Sequence, residues 1–175
     1  MKSHLFLSTL VLGLSLAAVG CGDDNPASAT PVDPKFTATL IASNETTTVV
    51  GGDVNGSGTV TITMHNTKDA SGNITASNAD FTVTLQGFPA GTVLTGAHIH
   101  PGAAGVAGSV IWNLGLATGE ITLPNGSATF TKNAVTPNDV ATAQGILNNP
   151  AGFYFNVHTT VNTGGAVRGQ LVRAN

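Results

Sequence analysis

Charge is what this sequence has least of. Six Lys and Arg and nine Asp and Glu are spread over 175 residues. Without a basic patch to neutralise phosphates, nucleic acid is excluded as a partner. The chain has one cysteine, so it has no intramolecular disulfide. No apolar run reaches the roughly 20 residues that a membrane-spanning helix needs. There is no GxSxG elbow, no Walker glycine loop and no HExxH. Glu120 and Asp80 are isolated acids, and nothing in the sequence pairs them for glycoside hydrolysis. Asp53-x-Asn55-x-Ser57 begins like a calcium loop, but Met64 stands where the bidentate Glu belongs, so it reads as a hairpin turn. Asp69-x-Ser71-x-Asn73 reads the same way.

The N-terminus is more specific. Lys2 precedes the apolar stretch LFLSTLVLGLSLAAV, which is the length of an export signal rather than of a membrane span. It ends at Ala18-Val19-Gly20-Cys21, which resembles the lipobox of bacterial lipoproteins, in which the cysteine is lipidated and becomes the new N-terminus. Residues 1–20 are therefore expected to be a lipoprotein signal peptide and Cys21 the lipidation site. The following GDDNPASATPVDP is polar, Pro-rich and aperiodic, a flexible tether over 21–34. Thirteen residues at about 3.3 Å each reach roughly 43 Å. Removal of the signal leaves five Lys and Arg against nine Asp and Glu, a formal −4.

Residues 35–175 have the size of one domain. Phe36, Ala38 and Leu40 alternate with threonines, as do Val60, Ile62 and Met64. The alternation returns at Phe81–Leu85, Val110–Leu114, Phe153–Val157 and Val167–Leu171. Period two marks half-buried strands, and the Gly- and Asn-rich breakers between them suit tight turns. The expectation is an all-β domain, an antiparallel Greek-key β-sandwich or barrel of superoxide-dismutase-like or immunoglobulin-like type. One segment, Thr136–Pro150, spaces Val140, Ala143 and Leu147 by three and four, which predicts a short helix before the last two strands, with Thr136 as N-cap and Pro137 in the first turn.

Two motifs carry a resemblance to a known family. Ala97-His98-Ile99-His100 is followed much later by Asn156-Val157-His158-Thr159 and Gly164-Gly165-Ala166-Val167-Arg168-Gly169-Gln170. In this order they resemble the CHRD domain, named for the repeats of chordin, over Lys35 to Val172. The resemblance implies an all-β domain and leaves the biochemical role open. Pro101 stands where glycine is more usual, and Ala166 where an acid is common.

On a strand His98 and His100 share one face and Ala97 and Ile99 the other, while Tyr154, Asn156 and His158 lie opposite Phe155 and Val157. If the two motif strands are neighbours, His98, His100 and His158 converge. Three imidazoles and a water then suffice to bind Zn²⁺ or copper. The alternative is a hydrogen-bonded polar face with no metal. Asn156 and Arg168 are further candidate binding residues; Arg168 either holds an anion or bonds loop carbonyls or an acid. GFPAGTVLTGAHIH is also similar to a strand of Cu/Zn superoxide dismutases, yet the exported chain has only four histidines, and His65 does not fit the dismutase order. The expected protein is a lipid-anchored module of the bacterial cell envelope, at the outer membrane or cell surface. It binds or scaffolds an envelope or extracellular protein or polymer rather than acting as an enzyme. The competing reading is a metal-dependent function centred on the three histidines.

Overall fold

The computed structural model describes residues 32–174, so the expected signal peptide, Cys21 and most of the tether lie outside the described residues. Ten strands follow in chain order: β1 Lys35–Ile41, β2 Ser57–Lys68, β3 Ile74–Gln86, β4 Thr92–Pro101, β5 Trp112–Asn113, β6 Thr122–Leu123, β7 Ala128–Val135, β8 Phe153–Thr159, β9 Val167–Gln170 and β10 Val172–Arg173. One helix, α1, spans Val140–Asn148 ahead of the last strands. Among the described residues no helix is long and apolar enough to cross a membrane.

Eight of the strands form one antiparallel path, β5-β4-β8-β9-β1-β2-β3-β7, with β6 added to β4 and β10 to β1. The pairings of β9 with β1, β3 with β7 and β4 with β8 join strands distant in sequence, as Greek-key connections do. The two ends of the path nearly meet. The Trp112 indole donates to the Val135 carbonyl at 3.2 Å, and Asn138 N donates to the Ile111 carbonyl. Between sandwich and barrel, the fold is therefore an almost closed barrel, which removes most of the exposed sheet edge.

Period two decides what fills it. Val60, Ile62 and Met64 of β2 lie opposite Val83, Phe81 and Ala79 of β3, and all six are buried. Phe81 meets Trp112 edge-on at 5.8 Å and stacks with Phe155 at 6.2 Å, so the aromatic centre joins β3, β5 and β8. Of the expected Val110–Leu114 strand only Trp112 and Asn113 pair, because the loop before them is drawn over the outside of the barrel.

Two expectations change. The helix cap is Asp139, not Thr136: its Oδ1 accepts from Thr142 N at 2.8 Å. Asn138 is held outside the helix because its backbone N and its side chain bond Ile111 and Val110, and the carboxylate next in line suits the positive helix end better than a hydroxyl. The Asp53 segment is not a hairpin turn but a 3₁₀ helix, Gly51–Asn55. Asp53 is buried and accepts from Thr159 Oγ1 at 2.6 Å and Asn162 Nδ2 at 2.8 Å, clasping this segment to the end of β8. Asp69 does cap a turn, between β2 and β3, accepting from Ser71 N and Asn73 N.

Candidate functional site

Register places the two motifs side by side. Across β4, β8 and β9, His98 faces Asn156, which faces Arg168; His100 faces Tyr154, which faces Gln170; Gly96 faces His158. Ala97, Ile99, Phe155, Val157 and Val167 point into the barrel, so these polar rows occupy its outer face. That face is nevertheless covered: Tyr154, Asn156, His100 and Arg168 are all buried. Two glycines make the arrangement sterically feasible. A Cβ on Gly96 would meet the His98 ring at 2.8 Å, so its absence lets that ring lie toward His158. A Cβ on Gly108 would collide with the Pro101 carbonyl, so glycine is needed where the covering loop returns to β4.

The covering loop is fastened from below. Arg168 Nη2 donates to the carbonyls of Ala103 at 3.0 Å and Val106 at 2.8 Å. Gln170 Nε2 donates to the Gly102 and Ala151 carbonyls, and Gly108 N donates to the Tyr154 hydroxyl. The Arg168 guanidinium lies 3.3 Å over the Tyr154 ring, and that ring stacks nearly parallel on His100 at 4.8 Å. Arg168 Nη1 has no hydrogen-bond partner among the described residues. The conjugated side chains thus form a column that positions His100.

His98, His100 and His158 come together. One nitrogen from each lies within 4.8 Å of the others, and the ring centroids of His98 and His158 are 5.0 Å apart. Burial pushes the His98 imidazole down to about 4, helped by the neighbouring His158 and His100. Burial also lowers His100 and His158. At neutral pH all three rings are uncharged, the state in which a ring nitrogen offers a lone pair to a metal. Two are oriented by the backbone: His100 Nδ1–H donates to the Gly108 carbonyl at 2.9 Å and His158 Nδ1–H to the Thr163 carbonyl at 2.8 Å. Carbonyls only accept, so both Nε2 atoms carry lone pairs. His98 Nδ1 has no hydrogen-bond partner among the described residues.

Tetrahedral Zn–N bonds of about 2.0–2.1 Å place ligand nitrogens about 3.3 Å apart. The three rings are somewhat wider than this, and His98, the ring with no fixed partner, is the one that can tilt inward. His65 does not join them. Its Nδ1 and Nε2 pair with Asp33 at 2.7 Å and Asp80 at 3.1 Å. Glu120 pairs with Lys132.

Sequence reasoning missed Glu45. Its carboxyl is pushed up to about 7 by burial, against the nearby Arg168 charge and a hydrogen bond from Asn156, both of which lower it. It packs where a Cβ on Gly165 would sit. No motif marks this position; the Gly164-Gly165 pair that admits it is the only trace in the sequence.

No curated protein matches the chain at a significant level. A family model does: that of the CHRD domain matches residues 36–171, from the first core residue of β1 to the residue after β9. Both halves of the histidine face fall within this span, and the chain belongs to the CHRD domain family.

Proposed function

We propose that this CHRD domain is a metal-binding module of the bacterial cell envelope, held at a membrane by lipid on Cys21 and taking Zn²⁺ or copper at His98, His100 and His158. The observation that carries the reading is the convergence of three uncharged imidazoles, two with their Nδ1–H committed to backbone carbonyls. That is how proteins orient histidine toward a metal: the outer nitrogen is fixed so that the inner lone pair points at the ion. Imidazole donors suit Zn and Cu, and a three-histidine set leaves room for a further ligand. The supported role is binding, with the ion as a structural or recognition element in contact with an envelope or extracellular protein or polymer.

The test uses the chain without its signal, incubated with Zn²⁺ or Cu²⁺, desalted and assayed for metal. One equivalent is expected, lost in the His98→Ala/His100→Ala double variant. Protein that takes up neither ion overturns the reading. The anchor is tested separately by fatty-acid labelling in a bacterial host: the wild type is labelled and Cys21→Ser is not, and equal labelling of both removes the lipid.

A further inference from the structure

The Asn156 side chain stands between two of the three imidazoles, within reach of a ring nitrogen of each. Asn156 is buried, and its Oδ1 is 3.1 Å from His100 Nε2 and 3.2 Å from His158 Nε2. Each of those rings has already placed its single N–H on Nδ1, against the carbonyls of Gly108 and Thr163. Two nitrogen lone pairs therefore face an amide oxygen, at hydrogen-bond distance but with no hydrogen between them. Within the protein this would be repulsive, and buried acceptors left without a donor are costly.

Rotating the amide would put Nδ2 between the rings, but its other side is engaged as well. The Asn156 side chain lies beside the Glu45 carboxyl. Nδ2 turned to Glu45 leaves Oδ1 facing the imidazoles, whereas the rotated amide gives Nδ2 to both ring nitrogens and sets Oδ1 against the carboxyl, a contact relieved only while that carboxyl is protonated. A cation resolves the conflict without rotation. Two donor atoms each about 2.1 Å from one ion are about 3.0 Å apart at a right angle and about 3.4 Å apart at the tetrahedral angle. The observed 3.1 and 3.2 Å separations lie in that range.

We propose that Asn156 Oδ1 is the fourth ligand of the histidine centre, making a neutral three-nitrogen, one-oxygen set for a divalent ion, with Glu45 orienting the amide from behind. This rests on the metal-binding reading of His98, His100 and His158. The fourth donor narrows the choice of ion. An amide oxygen is a hard ligand, so the set favours Zn²⁺ or Cu²⁺ over Cu⁺. All four donors are uncharged, so the ion keeps its full double charge.

The experiment measures Zn²⁺ affinity by competition with a chromophoric chelator, and the visible spectrum of the Co²⁺ form, for the wild type, Asn156→Leu and Asn156→Asp. Asn156→Leu keeps the three imidazoles and the approximate volume. It is expected to lose at least about 10-fold in affinity and to change the Co²⁺ spectrum. Asn156→Asp supplies a charged oxygen at the same place; it is expected to bind at least as tightly as wild type and to keep the ion to lower pH. Should Asn156→Leu fail to fold, the Asp variant alone decides. An Asp variant that binds no tighter and releases the ion at the same pH overturns the proposal. So does a folded Leu variant with wild-type affinity and spectrum, although the three-histidine reading then survives. Wild-type protein that takes up no divalent ion overturns both.

Discussion

Strands β4, β8 and β9 have two buried faces made of opposite materials. Inside the barrel, Ala97, Ile99, Phe155, Val157 and Val167 are all at 0 % exposure. Outside it, Tyr154, Asn156, His100 and Arg168 are between 1 and 7 %. The inner face closes through apolar packing, which is non-directional and asks only for volume. The outer face closes only because His100, Tyr154, Arg168 and Gln170 each meet a named partner on the covering loop. The Arg168–Tyr154–His100 column and the Gln170 amide do most of that work. Similar burial thus has different tolerances: the inside accepts other hydrophobes of similar size, and the outside accepts almost no substitution that changes a donor or an acceptor.

The largest effect is expected on the inner face. Phe155 stacks on Phe81 at the barrel centre, and Phe155→Ala should cost about 3–5 kcal/mol. Ile99→Leu, which conserves volume, should cost less than about 1.5 kcal/mol. Urea denaturation of both variants reads the difference in midpoint. Equal losses would mean that shape, and not apolar volume, governs the interior.

Arg168→Met carries the same question to the outer face. Methionine can cover the Tyr154 ring but cannot donate, so the Val106 carbonyl loses the guanidinium and the Ala103 carbonyl keeps only Val106 N. The expected cost is roughly 1–3 kcal/mol for the Val106 carbonyl left unsatisfied. The loss should be local: faster amide exchange and proteolysis over residues 102–108, with the β2–β3 amides still protected. Uniform loss of protection would show that the polar layer and the barrel form one cooperative unit, and the contrast between the faces would fail.

The inner face was legible in the sequence and much of the outer one was not, for a physical reason. Period two marks Phe155 and Val157 directly, because the partner of an apolar side chain is any other apolar surface. The same period placed His98, His100, Asn156 and His158 on one side of their strands. What it does not carry is the identity of the covering atoms. Those are mostly backbone carbonyls, at Gly108, Thr163, Ala103 and Val106, and any residue supplies a carbonyl. Asp53 and Glu45 were unreadable for a related reason: each is buried by partners more than 100 residues away, Thr159 and Asn162 for the first and Asn156 and Arg168 for the second. The helix cap was misplaced because Asn138 is bound to the loop before β5, a tertiary contact that local propensity does not contain.

The outer layer also makes stability depend on pH in two opposing directions. His98, His100 and His158 are lowered by burial, His98 to about 4. The stability tied to their uncharged form is fully present above 6.5 and is lost as pH falls below it, for His98 through about 4. Glu45 is raised to about 7, so the stability tied to its protonated form is fully present below 4.5 and is lost as pH rises from 4.5 through 7. Thermal melts of Glu45→Gln, which holds the neutral form at every pH, should gain on wild type more at pH 8 than at pH 5. A gain independent of pH would show that the Glu45 carboxyl is not held protonated by burial.

The smallest effect is expected where a histidine is wet. His65 is raised above 6.5 by hydrogen bonds to Asp80 and Asp33, the reverse of the three clustered rings. Its contribution is fully present below 6.5 and is lost as pH rises through its raised value. Because the group is 38 % exposed, solvent screens it strongly. It ties Asp33, just ahead of β1, to β2 and β3, so its removal should loosen that entry to the barrel more than the barrel itself. His65→Gln should shift the melting temperature slightly at pH 6 in dilute buffer and not measurably in about 0.5 M salt, where the screening length falls to about 4 Å. A salt-independent drop as large as that of Arg168→Met would place His65 among the buried, partner-specific groups and erase the distinction between histidines covered by the loops and one left in water.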